Sequence, residues 1–210
     1  MKIQLALDRL EIADAIQITR IVEDSIDWVE VGTSLIKEFG MASVRELKLA
    51  FPHKTIVADM KTIDNARYEF EMAFQAGADI ATVMGVSPLV TIEACMEVAA
   101  RYGKKVMFDL LNTSDNQVSE LLNYPDAIFC AHVSKDEQEE SGARNRGIKR
   151  DPLIGTSIEI AAAGGITIDS LADLRKSLNP SVVIVGSAIT KASNPAEAAA
   201  KLKQAILKGE

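Results

Sequence analysis

Short runs rich in Val, Ile, Leu and Ala alternate along the chain with longer stretches whose apolar residues recur at helical spacing. The cycle repeats about every 25 residues, room for one strand followed by one helix. The apolar runs place strands at 2–7, 27–31, 55–58, 79–84, 105–109, 127–131, 157–163 and 182–185. Each is too short and too apolar to face water, as expected of parallel strands covered on both sides. Between them, amphipathic patterns predict helices at 65–76, 89–102 and 195–207, the first with Asp64 as its N-cap and Gly77 at its end. Repeated βα units of this kind predict an α/β fold, a (β/α)8 TIM barrel of eight parallel strands with outer helices, spanning 1–210 as one domain. An open doubly wound sheet would want Gly-x-Gly-x-x-Gly after the first strand, where this chain has Asp8-Arg9-Leu10. In the sixth unit, Gly142, Gly147, Pro152 and Gly155 break the helical period, so 141–156 is expected to be partly loop.

With 210 residues, 48% of them hydrophobic, the chain can bury a substantial core. A net charge of -7 with both signs interspersed argues against a nucleic-acid surface. No apolar run approaches the roughly 20 residues of a membrane span, and strand-forming residues begin at Lys2 with no leader pattern before them. Cys95 and Cys130 lie in apolar periodic segments and read as core residues of a reducing compartment. The expectation is a cytoplasmic protein, neither exported nor anchored.

In such barrels chemistry is assembled from the C-terminal ends of several strands. Those positions hold Asp8, Glu30, Asp59 with Lys61, Gly85, Asp109, His132, Gly164 with Gly165, and Gly186 with Ser187. Charged groups gathered at the ends of apolar strands are costly unless they pair or bind something. Asp59 and Lys61, two apart on a strand, are expected on one side of the sheet. Glu30 and Asp59 end neighbouring strands, and their mutual repulsion is relieved by a Mg2+ ion, a shared proton or pairing with Lys61. Lys61 beside such a metal would stabilise negative charge on a substrate oxygen. His132 could move protons near neutral pH, whereas His53, in a turn at the opposite end of a strand, reads as merely exposed. The glycines after the last two strands suit tight turns or a phosphate held by loop N–H groups and a short helix. Together these groups suit proton removal beside the carbonyl of a phosphorylated sugar, followed by capture of the resulting enediolate. No redox cofactor site is visible.

Asp59-Met60-Lys61-Thr62-Ile63-Asp64, with Ala6-Leu7-Asp8 and Glu30-Val31-Gly32-Thr33, resembles the orotidine monophosphate decarboxylase superfamily along the whole chain. Within it, Gln4-Leu5-Ala6-Leu7-Asp8, Ala163-Gly164-Gly165-Ile166 and Val185-Gly186-Ser187-Ala188-Ile189-Thr190 resemble the 3-hexulose-6-phosphate synthase branch, with 3-keto-L-gulonate-6-phosphate decarboxylases as near relatives. The resemblance implies a Mg2+-dependent homodimer with shared active sites and a small phosphosugar substrate. It implies Glu30 and Asp59 as metal ligands, Lys61 as stabiliser of the enediolate and Asp64 as the group orienting Lys61 across the dimer interface. It further implies that Asp8 binds a substrate hydroxyl, that His132 transfers protons, that Asp109 lines the substrate cavity, and that the backbones of Gly165, Gly186 and Ser187 hold the phosphate. The reaction implied is an aldolase (lyase) reaction, reversibly joining formaldehyde and D-ribulose 5-phosphate to give D-arabino-hex-3-ulose 6-phosphate through a metal-stabilised enediolate.

Asp109, Ala163 and Ser187 stand where the decarboxylases tend to carry Glu, Thr and Arg, and siding with the synthases there fits a substrate without a carboxylate. His132-Val133-Ser134-Lys135-Asp136 departs from both branches, with Lys135 where a decarboxylase has its second arginine. Asn65-Ala66 replaces a common Gly-Gly. The alternatives are the decarboxylase, a non-catalytic phosphosugar-binding barrel, and an isomerase or epimerase, which would want a second base opposite His132.

Overall fold

The computed structural model describes residues 1–141 and 150–209. Its strands are β1 (Lys2–Leu7), β2 (Trp28–Val31), β3 (Thr55–Thr62), β4 (Ile80–Met84), β5 (Lys105–Asp109), β6 (Ile128–His132), β7 (Glu159–Ala163) and β8 (Val182–Val185). All pair in parallel with their sequence neighbours, and β8 closes on β1. The helices are α1 (Ile12–Val22), α2 (Thr33–Phe39), α3 (Met41–Ala50), α4 (Ala66–Gln75), α5 (Leu89–Tyr102), α6 (Asp115–Leu121), α7 (Lys135–Ser141), α8 (Leu171–Ser177), α9 (Ser187–Thr190) and α10 (Pro195–Lys208). The α/β barrel expected from the periodicity is therefore present.

Alternation along each strand splits the core in two. Outward residues such as Ile3, Leu5, Val29, Ile56, Phe108 and Phe129 pack under the helices. Inward residues Trp28, Val57, Ile80, Met107, Ile128, Ala161 and Val182 plug the barrel. One step further along, the inward positions of β2 to β6 are Glu30, Asp59, Thr82, Asp109 and Cys130, then His132. The interior thus passes from an apolar plug to a polar floor at the C-terminal rim. Local signals fix the helix starts: Ser114 and Gln117 form a reciprocal capping box on α6, and Asn194 accepts Glu197 N (3.2 Å) ahead of Pro195.

Four boundaries differ from the sequence reading for identifiable reasons. Asp27 and Asp79 lie just outside β2 and β4, because their carboxylates fold back to accept Ile3 N (2.8 Å) and Ile56 N (2.9 Å) of the preceding strands. β3 continues to Thr62 through a bulge: Ala58 is in register with Ala81 but Thr62 with Val83, so β3 carries two extra residues there. Asp64 is not the N-cap of α4; Asn65 occupies that position with φ +55, and the Asp64 carboxylate instead accepts Asn65 N (2.7 Å). Of the irregular sixth connection, α7 and a 3-10 turn at Asp151–Leu153 are seen, while Gly142 and Gly147 lie outside the described residues.

Candidate active site

The bulge in β3 shapes the site. Lys61 has φ +47, a left-handed conformation unusual for a residue with a long side chain, and its N–H leaves the ladder to donate to Thr82 Oγ1 (2.9 Å). The expectation of Asp59 and Lys61 on regular extended backbone is corrected here. The two still meet, because the turn carries the ammonium back over the carboxylate: Lys61 Nζ lies 3.0 and 2.8 Å from the two oxygens of Asp59. It also donates to Asp109 Oδ2 at 2.9 Å.

A continuous polar chain results. Asp59 accepts in addition from Thr33 Oγ1 (2.6 Å) and Thr82 Oγ1 (2.9 Å). Asp109 accepts from Leu111 N (3.0 Å), and His132 Nδ1 stands 3.0 and 3.2 Å from its two oxygens. A carboxylate only accepts, so Nδ1 donates to Asp109 and Nε2 is the ring nitrogen left to take up or give a proton. That ring borders a cavity of about 710 Å3 shared with Leu111, Asn112, Thr113, Ser114, Ser134, Glu137 and Arg150.

The electrostatics follow from burial and charge. Desolvation alone would release the Lys61 proton, but Asp59 and Asp109 outweigh it and hold the ammonium well above the usual lysine range. Burial likewise pushes Asp109 up, yet the His132 hydrogen bond and charge, followed by Lys61, bring it well below the usual carboxylate range. Glu30 goes the other way. Burial, reinforced by the negative charge of Asp59, pushes its carboxyl up to about 8, and Gln4 is its hydrogen-bond donor. The rim therefore holds more acid than its lysine balances, and Glu30 bears the excess.

The remaining expected residues fall in three places. Asp8 is exposed at the end of β1, where Oδ1 accepts from Ser34 Oγ (2.7 Å) and Ser34 N (3.2 Å). It passes so close to Gly32 that a Cβ there would lie 2.4 Å from Asp8 Oδ1, which is why glycine stands at that crossing. Gly165, Gly186 and Ser187 sit at the ends of β7 and β8, and Gly186 is the N-cap of the short helix α9 that starts at Ser187. Gly164 has a packing reason of its own, with φ +99 and a built Cβ only 2.4 Å from the Val133 carbonyl oxygen. Asp64 is not brought to this site within one chain: it is exposed, beyond the bulge. His53 is at the other end of the barrel, exposed and 2.7 Å from Glu23 Oε1.

Gln4, Thr33, Thr82 and Arg150 escaped the sequence reading. For Gln4 and Thr82 a signal existed, since each is a polar residue at an inward position of an apolar strand. Among the described residues no three His, Cys, Asp or Glu side chains form a ready-made metal cage. The hard oxygens of Glu30 and Asp59 nonetheless fit a cation that takes few protein ligands: the raised Glu30 marks a place where positive charge is wanted.

Comparisons with known proteins agree over the full length. A family model described as the Orotidine 5'-phosphate decarboxylase / HUMPS family matches residues 1–202. A 3-hexulose-6-phosphate synthase of Bacillus subtilis is 36% identical over 211 residues, with 100% of each chain covered. The crystal structure of 3-hexulose-6-phosphate synthase from Salmonella typhimurium is similar with a TM-score of 0.89 at 36% identity, covering 100% of both chains. That of 3-keto-L-gulonate-6-phosphate decarboxylase from Vibrio cholerae gives a TM-score of 0.84 at 28% identity, covering 99% of this chain and 97% of that one.

Proposed function

The chain belongs to the orotidine 5'-phosphate decarboxylase / HUMPS family, and on that premise we propose that it joins formaldehyde to D-ribulose 5-phosphate, giving D-arabino-hex-3-ulose 6-phosphate through an enediolate. The observation that carries the reading is the unbroken chain Asp59–Lys61–Asp109–His132, which sets a fixed positive charge beside a base. His132 Nε2 takes the proton from C1 of the ketose phosphate. The electron pair left behind is shared with the C2 carbonyl, and Lys61, held as an ammonium by two carboxylates, stabilises the negative charge that develops on the oxygens. C1 then forms a bond to the formaldehyde carbon, and the formaldehyde oxygen takes up the proton from His132. Two reactants combine with nothing left over.

Glu30 and Asp59 would hold Mg2+, which supplies a further positive charge for the oxygens of the enediolate. Gln4 orients Glu30, and Thr33 and Thr82 orient Asp59. Asp8 binds a substrate hydroxyl at the mouth, and the backbones of Gly165, Gly186 and Ser187 hold the phosphate. Support for the aldolase over the decarboxylase comes from two positions: Ser187 is neutral where the decarboxylases tend to carry Arg, and Lys135 pairs with Glu139 (3.6 Å).

The protein works as a homodimer in which Asp64 of one chain orients Lys61 of the other. This is supported by exposed apolar side chains near Asp64 in the chain, Ile63 at 56% and Tyr68 at 63%, and by exposed Leu89 and Val90 at the start of α5, which packs on α4. Two buried free thiols, Cys95 and Cys130, favour the cytoplasm, and among the described residues no helix is long and apolar enough to cross a membrane. The test is to supply ribulose 5-phosphate, formaldehyde and Mg2+ and follow aldehyde consumption, with CO2 release from 3-keto-L-gulonate 6-phosphate in parallel. Aldehyde consumption without CO2 release is expected; CO2 release without aldehyde consumption would hand the site to the decarboxylase.

A further inference from the structure

We propose that Arg150 is a positioning residue of this site: it locks the loop that follows β5 and, through Asp109, sets where Lys61 and His132 stand. The inference rests on the reading of His132 as the proton-transfer group. Arg150 Nη2 donates to Leu110 O (2.8 Å) and Nη1 to Thr113 O (2.7 Å), so one planar fork bridges two carbonyls of a single tight turn. That turn is otherwise closed by Thr113 N to Leu110 O (3.2 Å). Inside it, Leu111 N donates to Asp109 Oδ1 (3.0 Å). Any rotation of the turn therefore swings the carboxylate that holds Lys61 on one side and His132 on the other.

The arginine is itself well anchored. Its carbonyl accepts Leu153 N (2.9 Å), and Leu153 is 1% exposed in the core. Its side chain is 18% exposed, whereas Asp115, the acid beside it at 3.8 Å, is 61% exposed. The guanidinium is thus directed at the loop rather than at a surface ion pair, which would contribute little. The turn also meets Gly85, where a Cβ would lie 2.8 Å from Thr113 Oγ1. Held by Arg150 and packed on Gly85, the loop has little freedom. Nothing in the residue's neighbourhood along the chain announces this, because its partners are 37 and 40 positions away.

The chain has two histidines, so 15N-imidazole spectra of labelled protein report His132 directly, with His53 at the far end of the barrel as internal control. Arg150→Met keeps the stem and removes every donor; Arg150→Lys can reach only one of the two carbonyls. The expected result is a displaced His132 signal in both variants, larger in Arg150→Met, with His53 unmoved. In the aldehyde-consumption assay kcat should fall about tenfold or more in Arg150→Met, with KM for ribulose 5-phosphate within about twofold, because geometry and not phosphate binding is lost. Asp115→Asn should change neither signal nor rate. A His132 signal unmoved in folded Arg150→Met overturns the inference, whatever the rate does. If Arg150→Met does not fold, Arg150→Lys decides by the same signal. Should the aldolase reaction itself be absent, the spectra still decide whether Arg150 positions His132, and the failure belongs to the assigned reaction.

Discussion

At the N-terminal rim of the barrel Asp27 binds Lys203, Asp79 binds Lys48 and Lys104, and Glu159 binds Lys2 and Lys105. At the C-terminal rim Glu30, Asp59 and Asp109 share Lys61. Both rims join carboxylates to lysines, with opposite balances: the lower has lysines in excess, partly in water, and the upper has buried acid in excess. Asp27 and Asp79 also accept backbone N–H groups of β1 and β3, so they tie the starts of neighbouring strands together. Of the upper ones, Asp59 and Asp109 share one ammonium, Lys61, and Asp109 also holds His132, whose ring borders a cavity. Surplus lysines that reach water cost little, whereas surplus acid that is buried costs stability unless a cation meets it, which makes the upper rim the place for a charged ligand.

Mutations should separate the two rims. Lys61→Ala is expected to lower kcat by about a thousandfold, since it removes the charge that meets the transition state, while the thermal transition stays cooperative. Full turnover in that variant would erase the functional meaning of the upper rim. Asp79→Asn should do the reverse. It removes charge-assisted bonds to two lysines and weakens one to Ile56 N, for a loss of about 1–3 kcal/mol in urea unfolding, discounted because the group is partly solvated, with kcat within about twofold of the parent. A large fall in kcat there would show that the rims are not independent.

A smaller effect lies in the acid limb of stability. The carboxyls of Asp27 and Asp79 are both raised by burial but lowered more by their lysines and by backbone N–H groups, so each ends below the ordinary aspartate value of 3.8. Their stabilisation is therefore present above about pH 4 and is lost as pH falls through the depressed values. Urea unfolding of the parent between pH 5 and pH 3 should show this loss, and Asp79→Asn should show less of it. An equal slope in both would mean that Asp79 titrates as it does unfolded.

The barrel was legible because strands of this kind are short, apolar and regularly spaced, and because charged residues stand at their ends while their interiors are apolar. Glu30, Asp59, Lys61, Asp109 and His132 could be listed in order from that rule alone. What could not be read is how they touch. The left-handed Lys61 depends on a bulge opposite Thr82, and the loop after β5 depends on an arginine that lies beyond the next strand of the chain. Asp64 looked like a helix cap because Asp before an amphipathic run usually is one; here Asn65 can adopt positive φ and takes the position. Asp27 and Asp79 looked like first strand residues because side-chain bonds to a neighbouring strand leave no local trace.

The proposed chemistry depends on a divalent cation meeting the surplus acid of the upper rim. Glu30, raised to about 8 from 4.5 by burial and by Asp59, binds a proton in the folded state that the unfolded chain has released, so without a cation its effect on stability worsens as pH rises between those values. A cation must displace that proton, and its stabilisation should grow over the same interval. The decisive measurement is the shift in thermal midpoint on adding Mg2+ at pH 6 and pH 8, for the parent and for Glu30→Gln. An upward shift is expected in the parent, larger at pH 8, and none in Glu30→Gln; an equal shift in both proteins, or no shift in the parent at either pH, would contradict the cation site.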